Sequence, residues 1–172
     1  MATYGRNAGE TRARPRRGMG KWILLAFTHL GTLAAGFALG IYLLPILTAP
    51  PSPDAAMLAE NAASATYRAE LTRELRGSDF LHWGEGTVSV SPERIVHEGK
   101  LAPGPDYKVY LTQGFVEHED EFVKDAATLV GDVKSFDGFI LDVPSSIDIE
   151  AYDTVLVWCE SFGEFITAAK YR

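Results

Sequence analysis

A run of 23 uncharged residues near the N-terminus, Trp22–Leu44, constrains this chain more than any other feature. At about 1.5 Å per residue, a helix of that length covers roughly 34 Å, which is enough to cross the hydrocarbon core of a bilayer. Pro45 and the cluster Pro50-Pro51-Ser52-Pro53 follow the run and are expected to end the helix. The run therefore predicts one transmembrane helix, assigned to residues 22–47.

The distribution of charge predicts the orientation of that helix. Residues 1–21 hold six of the 16 basic residues but only one of the 23 acidic residues. By the positive-inside rule this basic N-terminus stays in the cytoplasm, and the rest of the chain lies in the periplasm or outside the cell. We predict an uncleaved signal anchor in the cell membrane. A cleaved signal peptide is the alternative, but its apolar core is usually about 7 to 15 residues long.

The same charge pattern indicates which partners the chain can bind. The chain after residue 21 is strongly acidic, which argues against nucleic acid because phosphate contacts need a basic surface. The lipid bilayer is the expected partner of the N-terminal segment. Gly36 and Gly40 have the spacing that lets two spanning helices approach closely, so a homodimer through this face is a further hypothesis.

Residues 48–76 are interpreted as a proline-rich spacer followed by a stalk helix. Asp54 is a suitable N-cap, and the alanine-rich segment after it contains many good helix formers. Such a helix would run to about Arg76 and end at Gly77. We expect this helix to pack on the following domain and to carry no chemistry.

From Gly77 onward the pattern alternates with a period of two. Val88 and Val90 precede a turn at Pro92-Glu93, which predicts a hairpin. Further strands are predicted within "PDYKVYLT", "GFILDVP", "TVLVWCE" and "EFITAAKY". An acidic loop with one helical turn is expected at residues 116–132. Short strands between glycine, proline and aspartate turns predict an all-β sandwich or small barrel over residues 77–172.

Several short motifs in this region occur in a characteristic order. Phe80 and His82 come first, Gly104-Pro105-Asp106 follows, and Trp158-Cys159 lies near the end. In this order they resemble the DM-thirteen domain, a module of Skeletor-like animal proteins and of bacterial envelope proteins, over roughly Gly77 to Tyr171. The resemblance implies a β-rich domain with a lone cysteine and a role in electron transfer or redox reactions. The family accompanies haem-binding domains, so a haem or flavin is expected on a partner protein and none on this chain.

Cys159 is the only cysteine of the chain and cannot form an internal disulfide. Strand alternation places it on one face with Val155 and Val157, while Trp158 lies on the other face. Both faces are apolar, which predicts a central strand that is buried on both sides. Cys159 is then either a small core residue or the redox thiol that the resemblance implies. Reactivity requires the thiolate, and the adjacent Glu160 disfavours it.

Two histidines and one acidic segment are further candidates. His82 could approach Cys159 if the first and last strands of the sandwich pair, and it would then favour the thiolate. His97 is expected at a hairpin edge. Residues 117–121, "EHEDE", offer ligands for a divalent cation, but no calcium-loop glycine spacing accompanies them, so a solvated loop is preferred and no metal is predicted. No recognised catalytic motif occurs, which argues against a stand-alone enzyme.

The leading hypothesis is a membrane-anchored, extracytoplasmic β domain with an accessory redox or electron-transfer role. It is centred on Cys159, with His82 as a partner and Trp158 as a neighbour. The alternative is a non-catalytic envelope module that binds another protein, with Cys159 as a core residue.

Overall fold

The computed structural model describes residues 18–172, so most of the predicted basic N-terminus lies outside the described residues. The chain divides into two compact units, one ending at Leu39 and the other comprising Gly40–Arg172. The first helix, α1, covers Met19–Thr48 and buries none of its side chains. It is long and apolar enough to cross a membrane, although a signal sequence near the N-terminus has the same properties.

The prediction that Pro45 ends this helix is wrong. Pro45 lies inside α1, which continues to Thr48. A proline removes one backbone donor, but its carbonyl still accepts a bond, here from the amide of Ala49 at 2.9 Å. The helix ends just before Pro50, where three prolines within four residues leave too few donors for another turn.

Eight strands follow and confirm the predicted β-sandwich. The elements after α1 are α2 (Ala55–Ala62), β1 (Tyr67–Leu71), β2 (Gly84–Val90), β3 (Arg94–Leu101), β4 (Tyr107–Thr112), β5 (Thr128–Val133), β6 (Phe139–Asp142), β7 (Thr154–Cys159) and β8 (Glu164–Lys170). They form two antiparallel sheets with the strand orders β1-β2-β3-β6 and β5-β4-β7-β8. Short 3-10 helices lie at Glu119–Glu121, Lys124–Ala126 and Ile149–Ala151.

Alternation along the strands explains the main core between the sheets. Val88 and Val90 of β2 enter it, and so do Val109 and Leu111 of β4. Strand β7 is buried along its whole length, as its apolar pattern predicts. Its outer face lies in a second cluster, which the loop at residues 113–127 helps to cover. The domain therefore has apolar layers on both sides of β7.

The predicted stalk helix is much shorter than expected. Asp54 does cap α2, since the Met57 amide donates to its carboxylate at 2.8 Å, but α2 ends at Ala62. Residues Tyr67–Leu71 form β1 and pair with β2, so the prediction of a helix to Arg76 is wrong there. In a strand, Tyr67, Ala69 and Leu71 share one face, and they pack on the main core. Burial and strand pairing outweigh the helix propensity of this segment.

Because β1 is part of the sandwich, a chain shortened to residues 77–172 is expected not to fold. It would lose the burial of Leu71 and Leu58 and would leave β2 as an edge strand that pairs only with β3. Each buried leucine stabilises by about 1.5–3 kcal/mol, out of a typical total of roughly 5–15 kcal/mol. A chain of residues 54–172 retains these contacts and is the matched control. Urea unfolding followed by circular dichroism is the measurement, and equally cooperative unfolding of both chains would contradict the expectation.

Four loops gather at one end of the sandwich: residues 72–83, 102–106, 134–138 and 160–163. The pairing of Tyr107 with Cys159 marks this end in the second sheet. The last turns of α1 belong to the same compact unit, and they line a cleft with Gly104 and Pro105. We call this the α1 end of the sandwich.

Candidate functional site

Cys159 is the last residue of β7 and lies at the α1 end of the sandwich. It pairs with Tyr107 of β4 and Glu164 of β8. Its side chain is only 3% exposed and belongs to the main core with Val155 and Val157, so the predicted face is confirmed. The thiol donates a hydrogen bond to the carbonyl oxygen of Pro105 at 3.1 Å. The sulfur therefore lies inside the domain, under the loops of the α1 end.

Two opposing influences act on the ionisation of Cys159. Burial raises the pKa of the thiol above its ordinary value of 9.0, and the carboxylates of Asp106 and Glu164 add to this. The backbone amides of Phe162 and Ser161 lower the pKa, because they lie close to the sulfur and favour its charged form. Burial is the largest influence, so the thiol is protonated at neutral pH. The two amides nevertheless provide donors for a negatively charged sulfur.

The loop Gly104-Pro105-Asp106 positions the groups around the sulfur. Asp106 has a φ of +54°, in the left-handed region that aspartate tolerates better than most residues. Its carboxylate accepts a hydrogen bond from the Ser161 hydroxyl at 3.0 Å and so ties this loop to the β7–β8 turn. The sequence pattern identified a turn here but not the proximity of Asp106 to Cys159. That proximity follows from strand pairing, which no local motif encodes.

Tyr107 is an aromatic residue on the Cys159 side of the sheet. It is directly opposite Cys159 in the β4–β7 ladder, and its ring meets Phe136 edge to face with centroids 5.9 Å apart. Burial raises the pKa of its hydroxyl, and the negative charge of an ionised Cys159 raises it further. Sequence analysis did not single out Tyr107. The only local signal was its position directly after the Gly-Pro-Asp turn.

Trp158 lies on the opposite face of β7 from Cys159. Its ring packs on Phe122 with centroids 4.5 Å apart, and Phe122 in turn meets Tyr110 at 5.3 Å. Tyr110 donates to Glu160, which also pairs with Lys124. Trp158 is therefore next to Cys159 in sequence, but the two residues belong to different apolar clusters.

His82 lies in the loop at residues 72–83 and pairs with Asp79, whose carboxylate is 3.1 Å from Nδ1. The approach of His82 to Cys159 depended on pairing between the first and last strands. That pairing does not occur, because β1 and β8 are in different sheets. The side-chain charges that act on the pKa of Cys159 are those of Asp106 and Glu164. The structure therefore brings neither His82 nor the ring of Trp158 to the sulfur.

His97 is not at a hairpin edge, contrary to the expectation. It is fully buried in the core-facing row of β3, with its ring 5.2 Å from that of Phe139. Nε2 lies 3.1 Å from the carbonyl oxygen of Glu85, which is consistent with a proton on Nε2, and Nδ1 has no protein partner. Burial lowers the pKa of His97. A Cβ at Gly99 would lie 2.8 Å from Nε2, so the glycine makes room for the ring.

The acidic loop contains two short 3-10 helices, Glu119–Glu121 and Lys124–Ala126, where one helical turn was expected. The prediction of a loop to residue 132 is wrong, because Thr128–Val133 forms β5 and pairs with β4. His118 lies 3.3 Å from Glu119 and 3.4 Å from Asp120. Glu121 pairs with Arg76 and accepts a bond from the amide of Glu117 at 2.8 Å. Within residues 18–172, no group of three or more histidine, cysteine or acidic side chains is placed to hold a metal ion.

Comparison with known proteins identifies one family. The family model described as electron transfer DM13 matches residues 75–171, which is more than half of the chain. Comparison with curated proteins and with solved structures gave no match. The matched segment contains the turn at Asp106 and the whole of β7, but it begins after β1.

Proposed function

Since the chain belongs to the electron transfer DM13 family, we propose that it is a membrane-anchored accessory domain in a redox or electron-transfer reaction. The family match carries this proposal. The length and composition of α1 support the anchor. The basic residues before α1 support a cytoplasmic N-terminus, and a periplasmic or extracellular position for the β domain follows from that orientation.

Cys159 is our candidate for the redox group. The amides of Ser161 and Phe162 could stabilise a thiolate as the Cys159 proton leaves for solvent. With a peroxide, the thiolate would attack one peroxide oxygen, the O–O bond would break, and an alcohol or water would leave as the sulfur becomes a sulfenic acid. With a partner disulfide, a new S–S bond would form and the second partner sulfur would leave as a thiolate. We place any haem or flavin on a partner protein.

Access to the sulfur requires movement of the β7–β8 turn. Ser161, Phe162 and Gly163 of that turn are exposed, whereas Cys159 beneath them is buried. A short exposed turn can open without unfolding the sheets that flank it. The thiol should therefore react slowly in the folded protein, at a rate limited by opening of the turn and by the small thiolate fraction.

Sulfenic acid trapping tests this proposal. Membranes that contain the full chain are treated with hydrogen peroxide and a dimedone-type probe, and the modified residue is located by mass spectrometry. We expect probe on Cys159 in the folded protein and none in a Cys159→Ser variant. Modification that appears only after denaturation would rule out the thiol as the redox group.

A charge variant sharpens the same test. Asp106→Asn removes a negative charge that raises the pKa of the thiol, and asparagine tolerates a positive φ. The rate of trapping should rise severalfold because more thiolate is present. Asp142→Asn removes an equally negative but highly exposed group from the other sheet and is the matched control. Equal rates for the two variants would contradict the assigned role of Asp106.

The alternative function is a non-catalytic envelope module that binds another protein through its loops. The buried and protonated state of Cys159 supports this alternative. If Cys159→Ser preserves function in cells and the folded thiol is unreactive, the binding module replaces the redox role. An absorbance spectrum of the protein purified from its own membrane adds a second criterion, because a copurifying haem or flavin band would support electron transfer.

A further inference from the structure

The α1 end of the sandwich carries exposed apolar side chains on two of its loops. Phe80 and Leu81 are 89% and 47% exposed in the loop at residues 72–83. Phe162 is 54% exposed in the β7–β8 turn. Single exposed apolar residues are common on soluble proteins. Here they project from loops that share one end of the domain, so their common environment requires an explanation.

The same end of the domain is continuous with the apolar helix. Leu44, Pro45 and Thr48 of α1 line a cleft of about 360 Å³ with Pro105 and Phe136. All of these residues belong to the compact unit that contains the sandwich. The uncharged sequence continues past Leu44 into the proline cluster, and α1 itself ends at Thr48. Loops beside Leu44 and Thr48 therefore lie at the level where the apolar helix ends.

A second cleft at this end has features of a membrane interface. Trp83 lines it together with Ile46 and Pro50, and tryptophan is enriched where protein meets lipid headgroups. This cleft also contains Lys100 and Asp137, and the first cleft contains Lys134 and Asp106. A cation and an anion in each cleft complement the phosphate and ammonium of zwitterionic headgroups.

We propose that the α1 end of the sandwich docks on the bilayer that α1 crosses, with Phe80, Leu81 and Phe162 inserted at the headgroup level. This inference rests on the membrane anchor of the proposed function. Exposed aromatic and leucine side chains gain free energy on leaving water for the interfacial region. A domain held by α1 and by these loops cannot rotate freely about the spacer. The turn above Cys159 is then held against the membrane.

Site-directed spin labels test the docking in full-length protein reconstituted into phosphatidylcholine and phosphatidylethanolamine vesicles. Labels are placed at Phe80→Cys and Phe162→Cys in a Cys159→Ala background. Ser145→Cys is the matched control, because Ser145 is exposed and lies in the β6–β7 loop at the opposite end of the sandwich. Power saturation compares collision with oxygen, which concentrates in lipid, and with a water-soluble nickel chelate.

We expect the ratio of oxygen to nickel accessibility to be severalfold higher at Phe80 and Phe162 than at Ser145. Equal ratios at all three positions would overturn the docking proposal. Alkaline carbonate extraction of the same vesicles tests the anchor separately. Protein that resists extraction but shows equal ratios retains its anchor and lacks docking, whereas protein released by carbonate contradicts the anchor itself. The two substituted phenylalanines are exposed, so neither change removes a core contact.

Discussion

Substitution of Gly86 by alanine is expected to lower the free energy of unfolding by at least about 3 kcal/mol. Gly86 has a φ of +111°, which side chains other than glycine rarely adopt. A Cβ there would also lie 2.6 Å from the Cα of Gly99 and would overlap the carbonyl oxygen of Glu98. Both obstacles are backbone atoms of β3, which pairs with β2 in this register. Relief would require the two strands to separate.

Two other glycines separate the conformational cost from the steric cost. Gly163 has a φ of +68°, but a Cβ added there would have no neighbouring atom within 4 Å, so Gly163→Ala should cost only about 1–2 kcal/mol. Gly131 has an ordinary φ, with Leu141 at 3.7 Å, and Gly131→Ala should change stability by less than about 0.5 kcal/mol. Urea unfolding of the chain of residues 54–172 gives all three values. A Gly86→Ala effect no larger than that of Gly163→Ala would refute the packing argument.

The buried His97 is expected to make the domain less stable as the pH falls below about 6.5. Burial lowers the pKa of His97 in the folded state below its ordinary value of 6.5. The unfolded chain therefore binds a proton first, and each pH unit below 6.5 should lower the free energy of unfolding by up to about 1.4 kcal/mol. Well above pH 6.5 His97 causes no loss of stability. Below the lowered pKa of the folded state, the free energy of unfolding stops falling with pH.

Carboxylates with lowered pKa values act in a different pH range. Ion pairs lower the pKa values of Glu85 and Asp132, whose stabilising contributions are lost only below their ordinary values of 4.5 and 3.8. The interval between pH 6.5 and 5 therefore isolates the histidine contribution. Over this interval His97→Gln should remove a decline of up to about 1.7 kcal/mol. His118→Gln is the control, since His118 lies in the acidic loop. An unchanged decline in His97→Gln would contradict the assignment.

Local patterns predicted the sandwich because strand alternation and turn residues are short-range properties. The hairpin at Pro92-Glu93 and the two apolar faces of β7 followed from such patterns and are confirmed. The same reasoning failed for Tyr67–Leu71, since residues spaced by four fit both a helix stripe and one face of a strand. Only the partner strand β2 distinguishes the two interpretations.

The candidate site was predicted less completely than the fold. Cys159 was identified because it is the only cysteine of the chain. Its burial was predicted from the alternation of residues along the strand and is observed. Its actual surroundings are Pro105, Asp106 and the amides of the β7–β8 turn, which come from segments about 55 residues apart. Sequence analysis instead proposed His82 as the partner of Cys159. His82 lies in the loop between β1 and β2 of the first sheet and pairs with Asp79. Long-range neighbours depend on which strands pair, and alternation carries no information about that choice.

The sequence by itself determined the apolar helix, the strands after Gly77 other than β5, and the inward face of Cys159, because each depends on spacing within a few residues. The tertiary structure alone decided that β1 completes the first sheet, that His97 lies in the core, and that the Phe80 and Phe162 loops share the end of the sandwich where α1 arrives. These features arise from strand order and register, which are set by how two sheets together bury their apolar faces.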